Sequence, residues 1–178
     1  MTHLARRGPT MVALVLGMGC QQSARPPQRL VQEAAELVDR FVAADTSGQV
    51  DSAYALIYKT NCDVLPSADY IAPTASARRV GEEMHGDTVA IIVEYNVVGE
   101  ASAGDSRAMG GQNWRFVPGA KTERSRFNIV HDSAGHPWID CDYHPPIHLS
   151  VSLMGPYVER LDSASRAGWE SAVGGRGR

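Results

Sequence analysis

The sequence predicts an α+β domain in which an antiparallel sheet packs on N-terminal helices. Three observations carry that reading. Apolar residues recur at helical spacing between Arg29 and Asp45, and a β-branched run alternates over Thr88–Ala101. Two more alternating runs, Lys121–His131 and Pro137–Tyr143, follow with turns between them. At 178 residues and 43% apolar, the chain has material for a single domain with extensions.

From Arg29, Leu30, Ala34, Leu37, Val38, Phe41, Val42 and Asp45 fall on one helical stripe, with Gln32, Glu33, Glu36, Asp39 and Arg40 elsewhere around the helix. Thr46-Ser47-Gly48 stops that helix. Val50–Tyr58 restarts a short one, with Val50, Ala53, Tyr54 and Ile57 on its stripe, so the two helices form an angled pair. Asn61–Thr74, with Pro66 and Pro73, is turn-rich, with one helical turn expected over Ser67–Ile71.

The strands begin at Arg78–Met84, and His85-Gly86-Asp87 is a tight turn with glycine where a positive φ is needed. In Thr88–Ala101, Val89, Ile91, Val93, Tyr95 and Val97 share one face; Ala90, Ile92, Glu94, Asn96 and Val98 share the other. Ser102–Asn113 reads as a glycine-rich loop, and Trp114–Val117 as a short strand broken at Pro118-Gly119. Lys121–His131 is strand again, with Phe127 and Ile129 on one face and Arg124, Arg126 and Asn128 on the other. Asp132–His136 turns the chain into Pro137–Tyr143, which His144-Pro145-Pro146 stops. Gly155-Pro156 opens a last helix with Tyr157, Val158 and Leu161 as its apolar side.

Ahead of the domain, residues 1–19 have the layout of an export signal: His3, Arg6 and Arg7, then apolar Met11–Leu16, then Gly17-Met18-Gly19 before Cys20. The stretch resembles a bacterial lipoprotein signal, which implies a lipid on Cys20 and a membrane anchor. Cleavage after Gly17-Met18-Gly19 by an ordinary signal peptidase would instead leave a soluble periplasmic or secreted protein. Residues 20–28 read as a tether, 29–146 as the domain, and 147–178 as a C-terminal helical segment with a frayed tail. With Cys20 lipidated, Cys62 and Cys141 form an even pair in an oxidising compartment, where a disulfide is expected; two buried free thiols are the alternative. From Cys20 onward 15 basic residues face 20 acidic ones, a charge of −5, which argues against nucleic acid as a partner.

The pattern His85-Gly86-Asp87-Thr88-Val89-Ala90, then Arg126-Phe127-Asn128-Ile129-Val130, then Gly135-His136-Pro137-Trp138-Ile139-Asp140 is similar to the NTF2-like family, over roughly Arg29–Pro146. The resemblance implies a strongly curved antiparallel sheet wrapped against helices, forming a cone with an internal pocket. The chain departs from that pattern in the Ser102–Asn113 loop and after Pro146. The family contains dehydratases and isomerases that use inward Asp, His and Tyr, and also non-catalytic binding domains, so the fold does not choose between them.

Strand parity bears on that choice. Ile139, Cys141 and Tyr143 share one face and are expected inward, which turns Asp140 and Asp142 outward with Trp138 and leaves no buried acid–base pair. Reversed parity would place Asp140 and Asp142, with a histidine such as His144, in the pocket of a lyase- or isomerase-type enzyme. His131, His136, His144 and His148 are irregularly spaced and predict no metal site, and no phosphate loop or nucleophile elbow implies a cofactor or acyl chemistry. Tyr54, Tyr95, Trp114 and Tyr143 are candidates to line a ligand pocket, against the alternative of ordinary core packing. Arg124 and Arg126 either clamp an anion or form a solvated face. The functional expectation is an exported, lipid-anchored envelope protein with a non-catalytic domain that binds a small apolar ligand or another protein. The alternative is a cone-pocket enzyme.

Overall fold

A computed structural model describes residues 27–58, 70–86, 88–104, 114–140 and 146–174. The signal, Cys20, Cys62, Cys141, Asp142, Tyr143 and His144 lie outside the described residues.

Helix α1 (Pro27–Thr46) begins two residues before the expected Arg29, so the end of the expected tether is helical. Its apolar stripe buries Ala34, Leu37, Val38 and Phe41. Gly48 ends it at φ 75°, and the Gln49 amide reaches back to the Ala44 carbonyl, a left-handed helix stop. Helix α2 (Val50–Tyr54) is shorter than the expected Val50–Tyr58, because Ile57 is drawn into a bridge with Ile139.

The sheet contains β1 (Tyr70–Ile71), β2 (Thr74–His85), β3 (Thr88–Ala103), β4 (Trp114–His131) and β5 (Pro137–Ile139), all paired antiparallel. Its order is β1–β3–β4–β5, with β2 also paired to β3. β1 and β2 therefore share one edge of β3. The architecture is α+β, an antiparallel sheet packed on an N-terminal helix pair, as expected.

Several boundaries differ from the sequence reading, each for a local reason. Tyr70 and Ile71 are strand, not part of a helical turn, because they pair with Ser102 and Ala101. Ser102 and Ala103 accordingly belong to β3 rather than to the following loop. β4 is unbroken at Pro118-Gly119: Pro118 lies opposite Gly99 beside a register shift, the kind of irregularity where a missing ladder N–H is tolerated. β5 spans Pro137–Ile139, and the Asp140 amide continues its ladder to the Asn128 carbonyl; residues 141–143 of the expected strand lie outside the described residues.

The C-terminal segment extends the sheet edge before covering the sheet. Ile147 and Ser150 bridge Ile71 and Thr74 in parallel, with the Ala72 and Thr74 amides donating to the Ile147 and Leu149 carbonyls at 2.8 Å each. A 3₁₀ turn (Val151–Leu153), α3 (Gly155–Val158) and α4 (Ser163–Gly174) follow.

Two apolar cores result. The first joins Leu37, Val38 and Phe41 of α1 to Val89, Ile91, Val93, Tyr95 and Val97 of β3, Phe127 and Ile129 of β4, and Ile139. At its centre Phe41 meets Phe127 at 5.3 Å between ring centroids, and Phe127 pairs with Ile91 across the strands. The second joins Ile71, Val98, Ala101, Trp114 and Phe116 to Leu149, Met154, Leu161 and Trp169. Adjacent residues of a strand point to opposite sides. Ile71 lies in the second core while Tyr70 hydrogen-bonds Glu100, whose carboxylate takes Lys121 on the side of Tyr95 and Val97. The two cores therefore lie on opposite faces, α1 against one and α4 against the other.

Gly99 follows the register shift in β3 and lies against Phe116 of the second core. A Cβ there would stand 2.5 Å from the Val117 carbonyl oxygen and 2.5 Å from the Phe116 ring. Gly99→Ala is expected to cost about 2 kcal/mol or more in urea unfolding, because the obstacle is partly backbone. Ile91→Asp would put an unpaired carboxylate at the centre of the first core. It should leave no cooperative thermal transition; normal unfolding would show that Ile91 does not face that core.

Candidate functional site

A line of acid–base side chains lies on the α1 face of the sheet, built by five elements. The last turn of α1 carries Asp45 at the end of its apolar stripe, so the helical period that buries Phe41 buries this carboxylate too, to 1% exposure. Residues 147–150, running along the sheet edge, carry His148 at 0% exposure, with Ile147 and Leu149 on the opposite side. The His148 amide donates to Asp45 Oδ2 at 3.2 Å, and the ring Nδ1 lies 3.3 Å from the same oxygen. The ring Nε2 lies 3.5 Å from Glu123 Oε2 of β4. Neither ring nitrogen meets hydrogen-bond geometry, so these are close contacts rather than formed bonds. The imidazole stacks flat on Tyr95 of β3, with centroids 3.7 Å apart and planes 12° apart.

From Glu123 the line runs outward. Lys121 Nζ lies 2.7 Å from Glu123 and 2.8 Å from Glu100, and Glu100 takes a hydrogen bond from Tyr70 of β1. Lys121 is about half exposed, so the line joins solvent to the buried pair. Its electrostatics follow from burial and charge. Burial pushes the Asp45 carboxyl above the usual range, with His148 pulling it back. Tyr54 on α2 is pushed up to about 12 by burial and by the Asp45 charge. Glu100 is held low by the Lys121 ammonium, and Lys121 is held high by its two carboxylates.

Among the described residues, those singled out by the sequence do not come together at one place. Tyr95 lies in the first core and Trp114 in the second, where it meets Tyr157 edge-on at 4.9 Å, so these two cannot line one pocket. Tyr54 is half-buried at the rim of the first core. Ile139 is buried and Asp140 is half-exposed with its side chain away from that core. Trp138 instead donates through Nε1 to Asp132 at 3.1 Å, part of a turn in which Asp132 also accepts from the Ala134 and His136 amides. Arg124 is one of two guanidiniums on Glu94, the other being Arg78, and Arg126 bonds Glu83, so their charge is already matched by carboxylates. His131, His136 and His148 lie apart, and among the described residues no three His, Cys, Asp or Glu converge as metal ligands.

The sequence reading missed the Asp45–His148 pair. Asp45 stood on the apolar stripe, an available signal, but its partner is 103 residues away in a segment with no periodicity.

A second feature has room for a partner. An open groove of about 600 Å³ lies between α1 and β2, lined by Val31, Gln32, Ala35, Glu36, Asp39 and Glu82 among others. Arg79 crosses it to within 3.8 Å of Asp39.

Comparison with known proteins adds little. No family model and no curated protein matches the chain. A solved structure described as an "Ntf2 like protein involved in plasmid conjugation" is similar over 62% of this chain and 46% of that one, at 12% identity and a TM-score of 0.44. The chain thus spans less than half of that protein's length.

Asp45→Ala would strip the buried His148 amide and ring of their carboxylate. The expected loss is about 3 kcal/mol of unfolding free energy, as for breaking a buried pair. A loss below about 0.5 kcal/mol in chemical denaturation would mean that the contact is not formed in solution.

Proposed function

We propose that this chain is an exported envelope protein, anchored by a lipid on Cys20, whose NTF2-like α+β domain binds a partner rather than catalysing a reaction. One observation carries the non-catalytic reading: its internal acid–base pair is sealed. A general acid or base must come within about 3 Å of the proton it moves, and Asp45 and His148 are 1% and 0% exposed. The separation of Tyr95 from Trp114 counts against a single apolar ligand pocket. The α1–β2 groove, open and edged with Glu36, Asp39 and Glu82, suits a segment of another protein better than a small apolar ligand. Among the described residues no helix is long and apolar enough to cross a membrane, so attachment would rest on the N-terminal lipid.

The enzyme reading keeps one point in its favour, the clustering of Asp45, Tyr95, Glu123 and His148 on one face. It requires substrate to reach His148.

Two experiments test the main reading. Intact mass spectrometry of the membrane fraction should find a chain that starts at an acylated Cys20, and Cys20→Ala should shift the protein to the soluble fraction. An unmodified chain would overturn the lipid anchor. A photo-crosslinking residue at the exposed Gln32 should capture a defined envelope protein in the native host, and Asp39→Lys/Glu82→Lys should reduce that adduct severalfold. No specific adduct, or one indifferent to those charges, would remove the groove from consideration.

A further inference from the structure

The segment carrying His148 is held by contacts that converge on one ring. The Ala72 and Thr74 amides bind its carbonyls, the Ser150 amide binds the Thr46 carbonyl at 2.9 Å, and the His148 amide binds Asp45. Among the described residues the titratable groups around the ring are Asp45 on α1 with Tyr54 of α2 near it, Tyr95 on β3, and Glu123 on β4. Behind Glu123 stand Lys121, Glu100 and Tyr70.

That surround cannot be satisfied by a neutral histidine beside an ionised aspartate. A neutral imidazole has one N–H to offer, and it lies between two carboxylates. Whichever nitrogen keeps the hydrogen, the other turns a lone pair toward a carboxylate oxygen, that of Asp45 at 1% exposure or that of Glu123 at 26%. One further proton, on the ring or on Asp45, removes the conflict. The flat stacking on Tyr95 also accepts an imidazolium, through attraction of the cation to the ring face. The upward push on Asp45 by burial acts in the same sense.

We propose that residues 146–150 are a proton-set latch: docked against α1 and the sheet edge, the Asp45–His148 pair holds one shared proton, and it gives that proton up when the segment lifts. The pair titrates as a unit, so the proton belongs to both groups. Hydrated and apart, a carboxylate titrates near 3.9 and a histidine near 6.5, so above about pH 6.5 the lifted groups hold no proton between them. Docking then takes one up. Between about pH 4 and pH 6.5 the lifted groups already hold that one proton, and the latch has its full strength there. It weakens as pH rises, by up to about tenfold in the docking equilibrium per pH unit, until the docked pair itself loses the proton.

The test is amide hydrogen exchange of the full chain by NMR from about pH 6 to about pH 9, corrected for intrinsic chemistry. The local opening equilibrium read at Ala72, Thr74 and Ser150 should rise by up to about tenfold per pH unit above about pH 7. Protection of the Ile91–Phe127 ladder should stay constant, and His148→Gln should be flat with pH at all these amides. A flat wild-type profile, a rise shared by the ladder, or a rise that persists in His148→Gln would each overturn the latch. Should His148→Gln not fold, the wild-type ring nitrogens and the Asp45 carboxyl carbon decide at about pH 8. A proton on either group supports the latch; a neutral ring beside an ionised Asp45 overturns it.

Discussion

The constraint on which the rest of this structure depends is the change of side in the central strand pair near Gly99. Before that point the odd-numbered residues of β3 pack on α1; beyond it Ala101, with Phe116 across from it, packs beneath α4. A regular strand cannot serve two cores on opposite faces with one parity, because its side chains alternate without exception. The register shift between Val97 and Gly99 supplies the missing step, and glycine is needed there because Val117 and Phe116 occupy the space of a Cβ. The C-terminal segment then has two tasks. It extends the β1–β2 edge with residues 147–150 and lays α4 over the face that α1 leaves bare.

This division also explains where polar groups can be buried. At the change of side the α1 face stops being apolar: Tyr95 and Val97 give way to Glu100, Lys121 and Glu123, and Asp45 and His148 close over them. An acid–base line is therefore the inner lining of the transition between two cores. Filling that place with apolar side chains would often be at least as stabilising as a buried ion pair. The pair gives specificity in return, since only one register of residues 147–150 brings His148 opposite Asp45. The parallel bridges at Ile71 and Thr74 alone would tolerate a two-residue slip that keeps the same faces.

Much of the fold was legible in the sequence because periodicity is local. The stripe from Leu30 to Asp45, the alternation from Val89 to Val97, and the placing of Phe127 and Ile129 together all follow from residues within a turn or two of each other. Boundaries went astray where a distant partner overrode local chemistry. Pro118-Gly119 looks like a break until Gly99 is known to lie opposite, and Tyr70-Ile71 looks like a turn until Ser102 and Ala101 take up its ladder bonds. The site was less legible still. Asp45 on an apolar face was a visible anomaly, yet nothing near His148 in the chain marks it as its counterpart, because their proximity is produced by the whole sheet lying between them.

On the opposite face of the sheet a buried carboxylate takes partners that are themselves exposed. There Glu94, 6% exposed, is flanked by Arg78 and Arg124, whose side chains lie 68% and 71% exposed; the hydrogen bond from Arg78, followed by that from Arg124, holds the carboxyl low. Solvent screens those charges, and the long side chains can leave and return without disturbing the ladder. Asp45 and His148 are short, internal and set on backbone that also forms the sheet edge, so they cannot separate without moving residues 146–150. The same pairing of opposite charges is loose on one face of the sheet and a mechanical coupling on the other, and the exposure and length of the partner side chains decide which.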